Sequence, residues 1–254
     1  MKARHNAMEG LEAVLTMKAL ILAAGFGLRL VPITEMIPKS LLPVHGTPIL
    51  IKQIDNLHRN GVTDITVITG YKAEMIDEAV HSRWPEVQTI ESLNYASTNN
   101  MVSAYIGRRA MGGEAFLMMN ADVFFDPSVI EALLAFDAPD AIVTDIGTYN
   151  EESMKVVEKG GRLVAISKEI ARERALGCSI DVYKFSPEGG AAFFDRCADY
   201  IERRGELKKW SEVALNDVLA EGRVPFKACP LKGRWMEIDN HEDLTQAEAL
   251  CGRE

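Results

Sequence analysis

The sequence predicts an α/β fold built on a mostly parallel mixed sheet with helices on both faces. Three observations carry that expectation. Apolar, β-branched runs alternate with helix-like stretches in a β-α-β-α-β-α-β order through the first half. Two of the runs, Ala19–Ala23 and Ala115–Met119, are apolar throughout, as strands buried on both faces are. The first of them feeds directly into Ala23-Ala24-Gly25-Phe26-Gly27, a small-residue loop.

The elements follow in order. After the Ala19–Ala23 strand, Thr47-Pro48 reads as a helix start, cap then proline, with the helix ending at Asn60-Gly61. Asp64–Thr69 is a β-branched strand, Lys72–Ser82 a helix and Val87–Glu91 a short strand. Asn100–Arg109 reads as a helix capped by Thr98 or Asn99, before the Ala115–Met119 strand. Ala141–Asp145 is a strand, and Met154–Glu158 with Arg162–Ser167 a hairpin turning at Lys159-Gly160-Gly161. Ser179–Phe185 is a strand, and Ser186-Pro187 starts a helix running to about Arg204. Ser211–Ala220 is helical, Val224–Cys229 and Trp235–Asp239 are late strands, and Asn240 caps a last helix, His241–Leu250. Residues 1–16 read as an N-terminal extension, and 17–254 as one domain. Residues 17–125 and 126–254 read as its two halves.

With 254 residues, 47% of them hydrophobic and 26% charged, the chain has ample material for one large core. A net charge of -9 argues against general binding to nucleic acid or to an anionic membrane. Cys178, Cys197, Cys229 and Cys251 form no C-x-x-C pair, so free thiols in a reducing cytoplasm are expected. No apolar run is long enough to span a bilayer, and the first residues lack a signal-peptide core.

The loop from Ala23 to Pro48 carries the chemistry. Arg29 and Lys39 are its cations, and no carboxylate intervenes before Glu35. Glycines let backbone N–H groups approach phosphate oxygens, and Arg and Lys neutralise what remains, so the loop suits a polyphosphate. Gly25-Phe26-Gly27 begins a dinucleotide fingerprint, but Leu30 stands where that fingerprint needs a small residue, and Pro32 and Pro38 deny a helix. No Walker G-K-[ST] occurs.

The same stretch resembles the signature of the nucleotidyltransferases that make activated sugars and alcohols. Their pattern runs A-A/G-G-x-G-x-R-x-x-P-x-T, then P-K-x-L-x-P-V, then G-x-P. Here it is met by Ala24, Gly25, Gly27, Arg29, Pro32 and Thr34, by Pro38, Lys39, Leu41, Pro43 and Val44, and by Gly46 and Pro48. The resemblance implies the nucleotide-diphospho-sugar transferase-like fold. It also implies that Arg29 binds the β- and γ-phosphates and Lys39 the α-phosphate side, with Ala23, Ala24, Gly25 and Gly27 lining the nucleotide site. Solvated loop charges are the plainer alternative for both cations.

Asp122 follows an apolar strand at the sheet edge where α/β proteins bind ligands, a place suited to Mg²⁺. The family holds its metal with an Asp at the matching position. The phrase W-x-E-I-D-N-x-E-D-L resembles the family's second metal segment and implies Asp239 as the partner ligand; a turn or cap role is the alternative for each. Asn94, Thr98, Asn99, Asn100 and Ser103 form an amide- and hydroxyl-rich segment able to read a base edge. It resembles the N-x-x-x-x-N-x-x-S segment of cytidylyltransferases acting on phosphocholine and related alcohol phosphates, which implies CTP. Lys155 and Lys168 resemble that branch's M-K-V and S-K-x-I phrases. By that analogy Lys168 binds the acceptor phosphate, although either lysine also suits a solvated hairpin charge. Trp210, Glu237 and Asp181 are candidates for the acceptor's organic end, together with Trp235, Tyr149 and Tyr183; Asp181 stands where relatives often have Gly.

The implied reaction joins CTP to a small phosphomonoester or phosphonate, phosphocholine-like or 2-aminoethylphosphonate-like, with release of pyrophosphate. Its machinery would be Mg²⁺ with Arg29, Lys39 and Lys168. A sugar-1-phosphate uridylyl- or thymidylyltransferase is the second reading, and a non-catalytic ligand-binding regulatory relative the third. The implied partners are the nucleotide and the acceptor, with the oligomeric state open, a homo-oligomer included.

Overall fold

A computed structural model describes residues 17–251. Residues 1–16, the expected extension, lie outside the described residues. The first half runs β1 (Lys18–Leu22), α1 (Ile33–Met36), β2 (Pro43–Val44), β3 (Thr47–Pro48), α2 (Ile49–Arg59), β4 (Asp64–Thr69) and α3 (Ala73–His81). It continues with β5 (Gln88–Glu91), α4 (Asn100–Met111), β6 (Phe116–Asn120) and β7 (Val123–Phe125). The second half runs α5 (Ser128–Ala135), β8 (Ala141–Ile146), β9 (Lys155–Lys159), β10 (Arg162–Ser167), β11 (Gly177–Phe185) and α6 (Pro187–Ala198). It ends with α7 (Ser211–Glu221), β12 (Lys227–Pro230), β13 (Trp235–Glu237) and α8 (His241–Cys251).

Nine strands form one sheet, in which β1 lies between β4 and β6, parallel to both, with β5 parallel beyond β4. Antiparallel to β6 runs β11, which also pairs antiparallel with β8 and β9. The β9–β10 hairpin and β12, parallel to β8, complete it. The sheet is thus α/β and parallel through its first four strands, as expected, and mixed beyond β11.

Successive side chains of a strand point to opposite faces, which splits β1 between two cores. Ala19 and Ile21 pack with Leu50, Ile54 and Leu57 of α2, while Leu20 and Leu22 pack with Met101 and Ala104 of α4. Gly107 permits the second contact: a Cβ there would lie 2.4 Å from Leu20 Cδ1. A third, smaller core gathers Leu30, Leu42, Val44, Ile49, Phe124, Ile238 and Ala247 under the loop after β1.

The expected caps are present. Asn99 accepts from the Asn100 N–H, Ser186 from the Gly189 N–H, and Asn240 from the N–H groups of Glu242 and Asp243. Several boundaries differ from expectation. Thr47-Pro48 pairs with Pro43-Val44 across a turn at His45-Gly46, both at positive φ, and the helix begins only at Ile49. The helix after Ser186 gives way at Ala198 to a π-helical turn, Asp199–Arg203. The strand expected from Val224 starts at Lys227. Helix α1, one turn at Ile33–Met36 between the two prolines expected to deny a helix, strand β7 and helix α5 were not expected, and β7 pairs antiparallel with β13 in a separate two-stranded ribbon. No helix among the described residues is long and apolar enough to cross a membrane.

Candidate active site

The loop after β1 opens onto a cavity of about 290 Å³ at the carboxyl ends of β1 and β6. Ala23, Ala24 and Gly25 form part of its wall. Gly27 sits behind the wall at φ +73°, where its carbonyl accepts from Thr34 Oγ1 at 3.0 Å. That turn brings Arg29 and, through the following Pro38, Lys39 to the cavity.

Lys39 is the hub. Its ammonium lies 2.8 Å from Asp122 Oδ2 and 2.7 Å from Asp239 Oδ1, and Arg29 Nη2 lies 2.6 Å from Asp239 Oδ2. Burial alone would depress the Lys39 pKa, but Asp122 and Asp239 outweigh it and lift the group above the ordinary lysine range. The same two cations overcome burial at Asp239 and hold its carboxyl below the usual range.

The ribbon fixes the two aspartates side by side. Glu237 pairs with Val123, and the Ile238 N–H donates to the Asp122 carbonyl at 2.9 Å. Asp239 is further held by its N–H bond to Asp243 Oδ2. At the far end of the ribbon Arg234 Nε donates to Asp126 Oδ2 at 3.0 Å, and the Asp126 N–H donates to the Arg234 carbonyl.

Carboxylate oxygens of Asp122, Glu237 and Asp239 all lie within 4.8 Å of one another. Asp122 Oδ1 is buried without a hydrogen-bond partner. Hard oxygen donors at that spacing, one of them unsatisfied, fit Mg²⁺. Sequence reasoning placed Glu237 with the acceptor; the structure sets it beside the aspartates. The signal was present, because Glu237 and Asp239 stand two apart along one extended segment and so share a face.

A second polar group lies deeper. Asn120 Nδ2 donates to Asp181 Oδ2 at 3.1 Å. The Tyr183 hydroxyl lies 2.8 Å from Asp181 Oδ1 and 3.1 Å from Glu212 Oε1, with one proton to donate. Asn100 Nδ2 reaches Glu212 Oε2 at 3.4 Å. Burial, then the neighbouring Glu212 and Asp122, push the Asp181 carboxyl up to about 7. Burial, then Asp181, Asp122 and Asp239, push Glu237 up to about 9. Asp181 itself sits at φ +57°, where the β11–β8 register shifts between Ser179 and Tyr183.

Of the predicted base-reading residues, Thr98, Asn99, Asn100 and Ser103 line the cavity. Lys168, Asp181 and Trp210 line it too, and the Lys168 ammonium lies 5.2 Å from the centroid of the Trp210 ring. Six predicted residues, Tyr149 and Tyr183 among them, are not brought to its wall. Gly27 acts from behind, and Asn94 is exposed, its backbone carbonyl accepting from Thr98 Oγ1. Lys155 is fully buried, its ammonium bonded to the Glu151 carbonyl and set over Tyr149, so it is neither at the acceptor side of the cavity nor a solvated hairpin charge. Trp235 also turns elsewhere, its indole donating to Asp145 Oδ2. Sequence reasoning missed Asn120, Glu212, Ser40 and Tyr95 in the lining. Asn120 was legible as the residue two before Asp122; Glu212, buried on a helix, carried no local signal.

The family model for nucleotidyl transferases matches residues 18–158, more than half of the chain. The bifunctional protein GlmU of Methanococcus aeolicus is 27% identical over 241 residues, covering 91% of this chain and 53% of GlmU. The CMP-5'-(3-aminopropyl)phosphonate synthase of Streptomyces rubellomurinus is 24% identical over 242 residues, covering 91% of this chain and 38% of that protein. The chain thus spans about half the length of these relatives, or less. Among solved structures, the CTP:phosphocholine cytidylyltransferase of Streptococcus pneumoniae superposes with a TM-score of 0.74 at 22% identity, covering 92% of this chain and 98% of that one. Loop, cavity and matched span agree, and the chain belongs to the nucleotidyl transferase family.

Proposed function

We propose that the protein is a Mg²⁺-dependent cytidylyltransferase that joins CTP to a small phosphomonoester or phosphonate, releasing pyrophosphate. The observation that carries this reading is the convergence of Lys39, Arg29, Asp122 and Asp239 at one end of a cavity floored by further carboxylates. Such a site suits two polyanions that must be brought together. Mg²⁺, when held by Asp122 and Asp239 with Glu237 alongside, supplies neutralisation of phosphate charge.

The chain's own groups do the rest. Arg29 and Lys39 bind the triphosphate, and Lys168 holds the acceptor's anionic group. Glycine-loop N–H groups approach the phosphates, and Thr98, Asn99 and Asn100 face the base. A phosphate acceptor is largely a dianion near neutral pH, its second pKa being about 6, so no general base is needed. Catalysis then consists of positioning and of stabilising charge on the transferring phosphoryl group and the leaving pyrophosphate.

The preference for CTP rests on the Asn94–Ser103 segment and on the likeness to a CMP-5'-(3-aminopropyl)phosphonate synthase in sequence and to a CTP:phosphocholine cytidylyltransferase in fold. A pyrophosphate-release screen crossing the four NTPs with phosphonates, phosphomonoesters and sugar-1-phosphates tests it. Turnover with CTP and a small acceptor is expected. Turnover restricted to UTP or dTTP with sugar phosphates would replace it with the sugar-nucleotide reading, and nucleotide binding without turnover with the regulatory one.

A further inference from the structure

The cavity is polarised. Arg29, Lys39 and Lys168 supply cations, whereas Asp181 and Glu212 face it with carboxylates. Neither of these two has a cationic partner among the described residues. Asp181 is met by Asn120, Tyr183 and Ser179, and Glu212 by Asn100 and Tyr183, all neutral. One helical turn beyond Asn100, Ser103 lines the same cavity. Buried carboxylates left without a cation are costly.

We propose that the acceptor carries a primary ammonium at the end remote from its phosphate or phosphonate, seated between Asp181 and Glu212. The proposal rests on the transferase reading and narrows its acceptor to a zwitterion. A primary ammonium brings a charge and three N–H donors to this set of oxygens. A quaternary ammonium brings no donor and needs free aromatic faces instead. The faces of Trp210 and Tyr149 are taken by the protein's own cations. Lys168 covers Trp210 at 5.2 Å, and Tyr149 lies between Lys155 at 5.1 Å and Arg172 at 4.2 Å. The Tyr183 ring is packed in the core near Phe185, leaving its hydroxyl as the polar contact. The raised pKa of Asp181 accords with a carboxylate that awaits a cation.

Asp181 also offers a clean variant. Its backbone is left-handed, a conformation glycine adopts freely, so Asp181→Gly removes the carboxylate without straining β11. The experiment measures pyrophosphate release by the full chain, with Mg²⁺ and each of the four NTPs. The acceptors are 2-aminoethylphosphonate, phosphoethanolamine, phosphocholine and ethylphosphonate, the last an analogue of the first that lacks the ammonium. Wild-type kcat/KM is expected to favour 2-aminoethylphosphonate over ethylphosphonate and phosphocholine by about 100-fold or more, as for a buried charge pair. In Asp181→Gly the ratio of 2-aminoethylphosphonate to ethylphosphonate should fall to within about tenfold of unity. Phosphocholine or ethylphosphonate used as well as the amine would overturn the proposal, as would an unchanged ratio in Asp181→Gly. A preference for the amine with a nucleotide other than CTP would overturn the choice of CTP and uphold the ammonium seat. Absence of turnover with every pair would overturn both.

Discussion

Gly27 and Lys39 pack so closely that a Cβ on Gly27 would stand 2.9 Å from the Cβ of Lys39. The glycine is therefore part of how the lysine is aimed, although it does not line the cavity. Its φ of +73° adds a backbone demand that alanine meets only with strain of about 1 kcal/mol or more. Gly27→Ala should lower stability by that amount and turnover by about 10²-fold, since a shift of about 1 Å in a positioning group costs that much. Urea melts and initial rates read the two effects; a variant with normal rates would detach Gly27 from the lysine's placement.

The two aspartates and Lys39 form a mutually compensating trio. Lys39→Met leaves two carboxylates facing one another and should cost about 3 kcal/mol when divalent metal is excluded. Adding Asp122→Asn to that variant should restore part of the loss, because the repulsion goes with the charge. Stability additive across the pair would show that the trio is uncoupled. Asp122→Asn alone should reduce turnover by about two to four orders of magnitude, and a Mn²⁺ titration should report weakened metal binding.

Asp126 and Arg234 clasp the far end of the ribbon that carries Asp122 and Asp239. Burial opposes ionisation of Asp126, but the Arg234 hydrogen bonds and charge prevail and hold its carboxyl below the usual range. A depressed folded pKa gives stability that is present above the unfolded value, near 4, and is lost as pH falls through the folded one. Asp126→Asn should therefore melt below wild type at pH 7, with the gap closing toward pH 3. A gap that does not change with pH would remove the ion pair from the explanation.

The sign is reversed at Asp181. Its folded pKa of about 7 lies above the unfolded value, so the fold favours the protonated carboxyl. Stability from this group is fully present below about pH 4 and is lost as pH rises to 7. Asp181→Asn should accordingly gain on wild type between pH 5 and pH 8 in urea midpoints measured without acceptor. A constant difference across that range would contradict the burial argument.

The first half of the fold was legible because local pattern and tertiary demand coincide there. Ala19–Ala23 and Asp64–Thr69 are apolar or β-branched, and the helix of Asn100–Met111 is opened by the Asn99 cap that its sequence offers. The Arg29, Lys39, Asp122 and Asp239 cluster was also legible, through fixed spacings. What escaped depends on pairing between remote segments. Val123–Phe125 becomes a strand only because Trp235–Glu237 pairs with it, and Thr47-Pro48 becomes one because the turn at His45-Gly46 folds it back. Lys155 looked like a ligand by phrase, yet alternation along β9 places it under Tyr149 with its ammonium on a backbone carbonyl. The register shift around Asp181 has no local sequence mark, so the partnership of Asp181 with Glu212 across Tyr183 could be found only in three dimensions.

The β7–β13 ribbon is separate from the nine-stranded sheet in its pairing but packs on two cores, Val123 and Phe125 in the large one and Phe124 with Leu42, Ile49 and Ile238 in the small one. One backbone bond, from Ile238 to Asp122, sets the gap between the two aspartates. Alternate residues of one short strand thus answer to different neighbours, and a repacking on either side is felt in the spacing of the two carboxylates.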